Sequence, residues 1–174
     1  MKEKAFQESL CELLKMNLPN YRVELGKSLL YKLIIDTNGH LKPKDVSNPK
    51  RGNYAFQTDI LISKNKINLV AIELKVNRFT THNILTYSTK ALKHKEVYPY
   101  LRYGFIIGGI KNINKRFFTH NSGFDFSIAV DDLEKDKMII IEIVKKQIKS
   151  AEKMSEILVT DNLPKSFASY VEIG

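Results

Sequence analysis

The stretch Gln57 to Val76, QTDILISKNKINLVAIELKV, carries three charged side chains where strands usually carry apolar ones: Asp59 in a first run, then Glu73 and Lys75 two positions apart in a second. An unpaired charge in a half-buried strand is costly, so the pattern asks for a chemical reason. Side chains alternate faces along a strand. Val70, Ile72, Leu74 and Val76 therefore share a face, expected to be the core face, while Ala71, Glu73 and Lys75 share the other, expected to lie outside the core. In the first run Asp59 has the parity of Gln57 and Ser63, and Ile60 and Ile62 lie opposite. A tight turn near Asn65 sets residues near 71–73 across from residues near 57–59, so that Asp59 and Glu73 lie side by side with Lys75 adjacent.

Two carboxylates held this close repel unless a cation sits between them. An oxygen-only ligand set with open positions suits Mg²⁺, with Mn²⁺ as the alternative, and makes Asp59 and Glu73 candidate metal ligands. A nearby Lys75 could orient or deprotonate an attacking water, or stabilise charge developing on a phosphate. The three side chains supply what metal-assisted phosphodiester hydrolysis needs. A Glu and a Lys on one strand face also describe an ordinary solvated sheet. Their combination with Asp59, the apolar LVAIELK context, the helix that follows and the net charge favours the site.

The charge balance points the same way. Across 174 residues, 28 Lys and Arg against 19 Asp and Glu leave a formal charge of +9, which favours polyanionic partners: nucleic acid or an anionic membrane surface. No apolar run approaches the roughly 20 residues of a spanning helix, and the N-terminal MKEKAFQESLCELLK has no signal-peptide core. Nucleic acid is thus the expected partner, no membrane is expected, and the cytoplasm is the expected compartment. The single cysteine, Cys11, cannot form an internal disulfide or a cysteine-based zinc site and reads as a small core residue. His40, His82, His94 and His120 have no zinc-site spacing, and His94 reads as a surface residue. An apolar fraction of 43% with 27% charged residues excludes disordered and collagen-like classes, and the length suits one domain spanning 1–174.

The elements that must hold these residues can be read from periodicity. Phe6, Leu10, Leu13 and Leu14 predict a helix over 3–16, ended by Pro19 and Asn20. LLYKLIID predicts a strand entering Asp36. The Gly-, Pro- and Lys-rich segment 37–54 predicts a long irregular loop, made basic by Lys42, Lys44, Lys50 and Arg51. Strands over 56–63 and 67–76 follow, then a helix over 80–97 with Thr80 or Thr81 as N-cap. YGFIIGG and FDFSIAV predict two further strands, and the sequence from Asp131 onward a long helix, although MIIIEIV alone fits a strand equally well. This order predicts an α/β fold, a mixed central sheet flanked by helices.

At Asp59 in FQTDILI and Glu73-Leu74-Lys75 in AIELK, the sequence resembles the PD-(D/E)XK nuclease superfamily, which includes many type II restriction endonucleases and Holliday-junction resolvases. The likeness extends more loosely over residues 3–110, and Thr58 stands where the family's name has Pro. The resemblance implies a restriction-endonuclease-like core and a Mg²⁺-dependent endodeoxyribonuclease, with Asp59 and Glu73 on the metal and Lys75 beside the water. It implies DNA, double-stranded, as the partner, and for a restriction-type enzyme a homodimer matching a palindromic site. A structure-selective resolvase, or a nucleic-acid-binding module that kept the fold without hydrolysis, are the alternatives.

Several such nucleases add an acid from the first helix, for which Glu8 is the candidate here, with Glu12 and Glu24 behind it. Gln57 shares the face of Asp59 and is expected to touch metal-bound water or the phosphate. Tyr87, Lys90 and His94 share a helix face, and Lys90 is the candidate phosphate contact or electrostatic support. Lys42, Lys44, Lys50, Arg51, Lys93 and Arg102 lie in basic, aromatic-containing clusters and are candidate nucleic-acid contacts.

Overall fold

A computed structural model describes residues 2–169 and 171–174 of the chain. In chain order the elements are α1 (Glu3–Asn17), β1 (Arg22–Leu25), β2 (Ser28–Leu30), β3 (Ile34–Ile35), β4 (Leu41–Lys42), β5 (Ala55–Gln57), β6 (Ile60–Lys64), β7 (Ile67–Val76), α2 (Thr81–Val97), β8 (Arg102–Gly108), α3 (Lys115–His120), β9 (Phe126–Val130) and α4 (Leu133–Ile157). Five strands form the central sheet in the order β1-β6-β7-β8-β9. Pairing is antiparallel from β1 to β7 and parallel from β7 to β9, so the fold is α/β with a mixed sheet flanked by helices.

The β6–β7 hairpin turns at Asn65 and Lys66, both at positive φ (50° and 68°), which is what a two-residue turn between twisted strands requires. Its second strand is covered on both sides. Val70, Ile72 and Leu74 join Phe6, Leu10 and Leu14 of α1 and Ile140, Val144 and Ile148 of α4 in one core. Ala71 joins Tyr103, Phe105 and Ile107 of β8 and Ile84 and Ala91 of α2 in a second. Each such side chain, fully buried, contributes about 1.5–3 kcal/mol for the larger aliphatic types. The expectation that the face of Ala71, Glu73 and Lys75 lies outside the core is therefore corrected: α2 packs over it, and Glu73 is only 2% exposed. The helix following β7 is fixed by a capping box, in which the Thr80 hydroxyl accepts from the Asn83 backbone N–H and the Asn83 side chain accepts from the Thr80 N–H.

The second departure from expectation lies in residues 26–58. A single strand over LLYKLIID is replaced by two short ones, β2 and β3, and the strand expected over 56–63 is broken at Thr58 and Asp59. The break at Thr58 and Asp59 has a local cause. β1 pairs with β6 and β2 pairs with β5 in the same antiparallel register, Leu25 opposite Ile60 and Ser28 opposite Gln57. Between them the chain kinks at Gly26, at φ +64°, where an added Cβ would fall 2.6 Å from Nε2 of Gln57. The paired strands thus leave the sheet and continue outward as an arm, ending in the small β3–β4 hairpin. The arm packs back on α2 through Phe56, which stacks between Tyr31 (centroids 4.1 Å apart) and His94 (6.0 Å).

Candidate active site

The hairpin register that aligns Ile60 with Ile72 sets Asp59, one step outward, across from Glu73. The Leu74 backbone N–H donates to Oδ2 of Asp59 at 2.7 Å, which fixes the Asp59 carboxylate against β7. Gln7 of α1 donates to the Asp59 carbonyl at 2.9 Å and brings the start of α1 to the same place. On Glu73, the Tyr103 hydroxyl and the Lys90 ammonium both donate to Oε1, each at 2.7 Å. Lys75 makes a two-oxygen contact with Glu3, at 2.9 and 3.1 Å, and stands over the Tyr87 ring.

Electrostatics follow from this burial. Desolvation pushes the Glu73 carboxyl up to about 7; Lys90 opposes the rise and Asp59 adds to it. Burial also raises Asp59, against the Leu74 N–H and the two lysines. Burial pulls Lys75 down, but the bond to Glu3 and the contact with Tyr87 prevail and leave it above its ordinary value, so it is an ammonium at neutral pH. Tyr103, buried and bonded to an anion, is held well above the usual phenol range.

Three of the residues singled out from sequence, Asp59, Glu73 and Lys75, are brought together, and Lys90 joins them from α2. Others are placed differently. Glu8 is an exposed residue 3.9 Å from Lys4; the acid that α1 delivers to Lys75 is Glu3, nearer the helix start. Glu12 and Glu24 pair with Lys15 and with Arg22 and Lys27 on the surface. The Gln57 side chain does not reach the carboxylates, because it spans the kink to donate to the Gly26 carbonyl at 3.0 Å; only its own carbonyl faces the site, where Lys90 donates to it.

His94 is corrected from a surface residue to a fully buried one. It lies against Phe56 and edge-on to Tyr103, neither of its ring nitrogens has a hydrogen-bond partner among the described residues, and burial holds its pKa down at about 3. Arg102 points to the α4 face, bonded to Ser150 and 3.5 Å from Asp125. Lys93 is exposed and paired with Glu96, and Lys42 lies 3.5 Å from Asp36. Lys44, Lys50 and Arg51 are exposed on the arm and make no ion pair among the described residues.

Sequence reasoning missed Glu3 and Tyr103. Glu3 precedes the apolar periodicity of α1 and gives no pattern of its own, whereas Tyr103 could have been found: its parity within a parallel strand beside Glu73 places both on one face.

The donors fit a hard divalent cation. Asp59 and Glu73 offer carboxylate oxygens alone, beside the Lys90 ammonium on Glu73 and a Lys75 that is bonded to Glu3. Among the described residues no three His, Cys, Asp or Glu side chains converge as a metal cluster. A cation at Asp59 and Glu73 would therefore complete its shell with water and substrate oxygens, as Mg²⁺ commonly does. Among the described residues, no helix is long and apolar enough to cross a membrane. No protein-family model, curated protein or solved structure matches this chain.

Proposed function

We propose that this chain is a Mg²⁺-dependent endodeoxyribonuclease with a restriction-endonuclease-like core. The observation that carries the reading is the pair of carboxylates, buried Glu73 and half-buried Asp59, set across one hairpin with the Lys75 ammonium beside them. Asp59 and Glu73 would hold the cation, for which Mn²⁺ is the alternative. When bound, such an ion supplies Lewis-acid polarisation of a phosphate and a more acidic water.

The chain's own groups do the rest. Lys75, kept protonated by Glu3, donates to a phosphate oxygen as charge develops there rather than removing a proton from water. Tyr103 and the Leu74 N–H hold the two carboxylates in orientation, in a place where α2 and β8 exclude solvent. The arm offers Lys44, Lys50 and Arg51 to the backbone of double-stranded DNA. A homodimer would match cleavage of both strands at a palindromic site.

The two bonds already on Glu73 Oε1 favour a second reading, a DNA-binding module without hydrolysis. Incubating supercoiled plasmid with the protein and Mg²⁺ or Mn²⁺ separates them: nicking supports the nuclease, and DNA binding without nicking under either ion supports the module. Cleavage confined to four-way junctions would instead assign a resolvase.

A further inference from the structure

The carboxylate cluster contains one ammonium that belongs to neither strand of the hairpin. Lys90, in the middle of α2, places Nζ 2.7 Å from Oε1 of Glu73 and also donates to the Gln57 carbonyl, two residues before Asp59. Its side chain is 14% exposed and that of Glu73 is 3% exposed, so the pair is shielded from solvent screening. The atoms it holds, a carboxylate oxygen and a main-chain carbonyl oxygen, are the hard donors that a divalent cation takes.

We propose that Lys90 is a tethered counter-ion that occupies the cation's place on Glu73 and must leave it before a divalent ion can bind. The proposal rests on the reading of Asp59 and Glu73 as a cation site. It follows from charge and space together: an ammonium in contact with Oε1 both repels an incoming cation and fills the position such a cation would take. Displacement has a structural consequence, because the same ammonium ties α2 to the base of the arm at Gln57, beside the Phe56–His94 stack. Cation binding thus releases one of the contacts that hold the arm against α2.

The test is the affinity of the DNA-free protein for Mn²⁺, followed by electron paramagnetic resonance at about pH 8.5, above the value of about 7 to which burial raises the Glu73 carboxyl. Wild type is compared with Lys90→Met, with Lys90→Gln, which keeps an amide donor for both oxygens if the methionine variant does not fold, and with Glu73→Gln. The expected result is Mn²⁺ binding about tenfold or more tighter in the Lys90 variants than in wild type. Equal or weaker binding in those variants, with binding still lost in Glu73→Gln, overturns the counter-ion role and leaves the cation site standing. Absence of Glu73-dependent Mn²⁺ binding in every variant overturns both.

Discussion

The Tyr103 hydroxyl, on β8, donates to Oε1 of Glu73, on β7, at 2.7 Å inside the layer between sheet and α2. This bond and the Lys90 contact keep an acid in a place that otherwise disfavours its charge. Burial nonetheless prevails and leaves the Glu73 carboxyl at about 7, far above its unfolded value of 4.5.

A pH dependence of stability follows. Between pH 4.5 and about 7 the folded chain holds a proton on Glu73 that the unfolded chain has released, so this residue's contribution is fully present below 4.5 and is lost as pH rises through 7. The loss is on the order of 3 kcal/mol. Glu73→Gln should remove it, and urea titrations across that range should give a flatter profile for the variant, with its relative gain largest above pH 7. Parallel profiles for the two proteins would contradict the burial of an ionisable Glu73.

His94 has the opposite sign. Its folded pKa, about 3, lies below the unfolded 6.5, so its contribution is present above 6.5 and lost as pH falls toward 3. His94→Phe keeps a ring between Phe56 and Tyr103 and removes two buried nitrogens that lack partners. The variant should unfold at lower pH than wild type, with stability at neutral pH equal or higher by about 1 kcal/mol. Unchanged acid unfolding, followed by circular dichroism, would count against it.

Much of this arrangement is legible in the sequence, for physical reasons. Period-two alternation and a two-residue turn set Lys64 opposite Ile67, a register that alone would carry Asp59 to Ile72; the irregularity between Ile62 and Ser63 shifts it by one and brings Asp59 across from Glu73. The long apolar periods of α1 and α4 and the Thr80 cap are local. The features that escape it are non-local. A Glu-Leu-Lys on a strand does not reveal that α2 covers it, and LLYKLIID cannot disclose that Gly26, just before it, turns the β2–β5 pair out of the sheet. His94, flanked by lysines, looks solvated until Phe56 of the arm is laid on it. Glu8 has the better helix position by periodicity, but the site sits at the very start of α1, where Glu3 reaches Lys75.

That difference between the two glutamates is testable. Lys75 owes its raised pKa to Glu3 and Tyr87 working against burial, so Glu3→Gln should lower it, whereas Glu8→Gln, paired with exposed Lys4, should leave it unmoved. Lysine side-chain NMR titration reads this directly. A shift in the Glu8 variant and none in the Glu3 variant would reverse the assignment.

The arm makes a separate prediction for DNA. Replacing Lys44, Lys50 and Arg51 together by Ala should weaken duplex binding and reduce the slope of log affinity against log salt by about 0.9 for each phosphate no longer neutralised. Lys93→Ala and Arg102→Ala, whose charges are taken by Glu96 and Asp125, should change the slope little. Fluorescence anisotropy over a range of salt concentrations measures both.

Hydrolysis at Asp59, Glu73 and Lys75 is tested most directly by the conversion of supercoiled plasmid to open circle in Mg²⁺. Wild type should nick, and Asp59→Asn, Glu73→Gln and Lys75→Met, each checked for folding, should lose roughly two to four powers of ten in rate. A folded wild type that binds plasmid without nicking it in Mg²⁺ or Mn²⁺, or nicking that survives undiminished in Glu73→Gln, would contradict it.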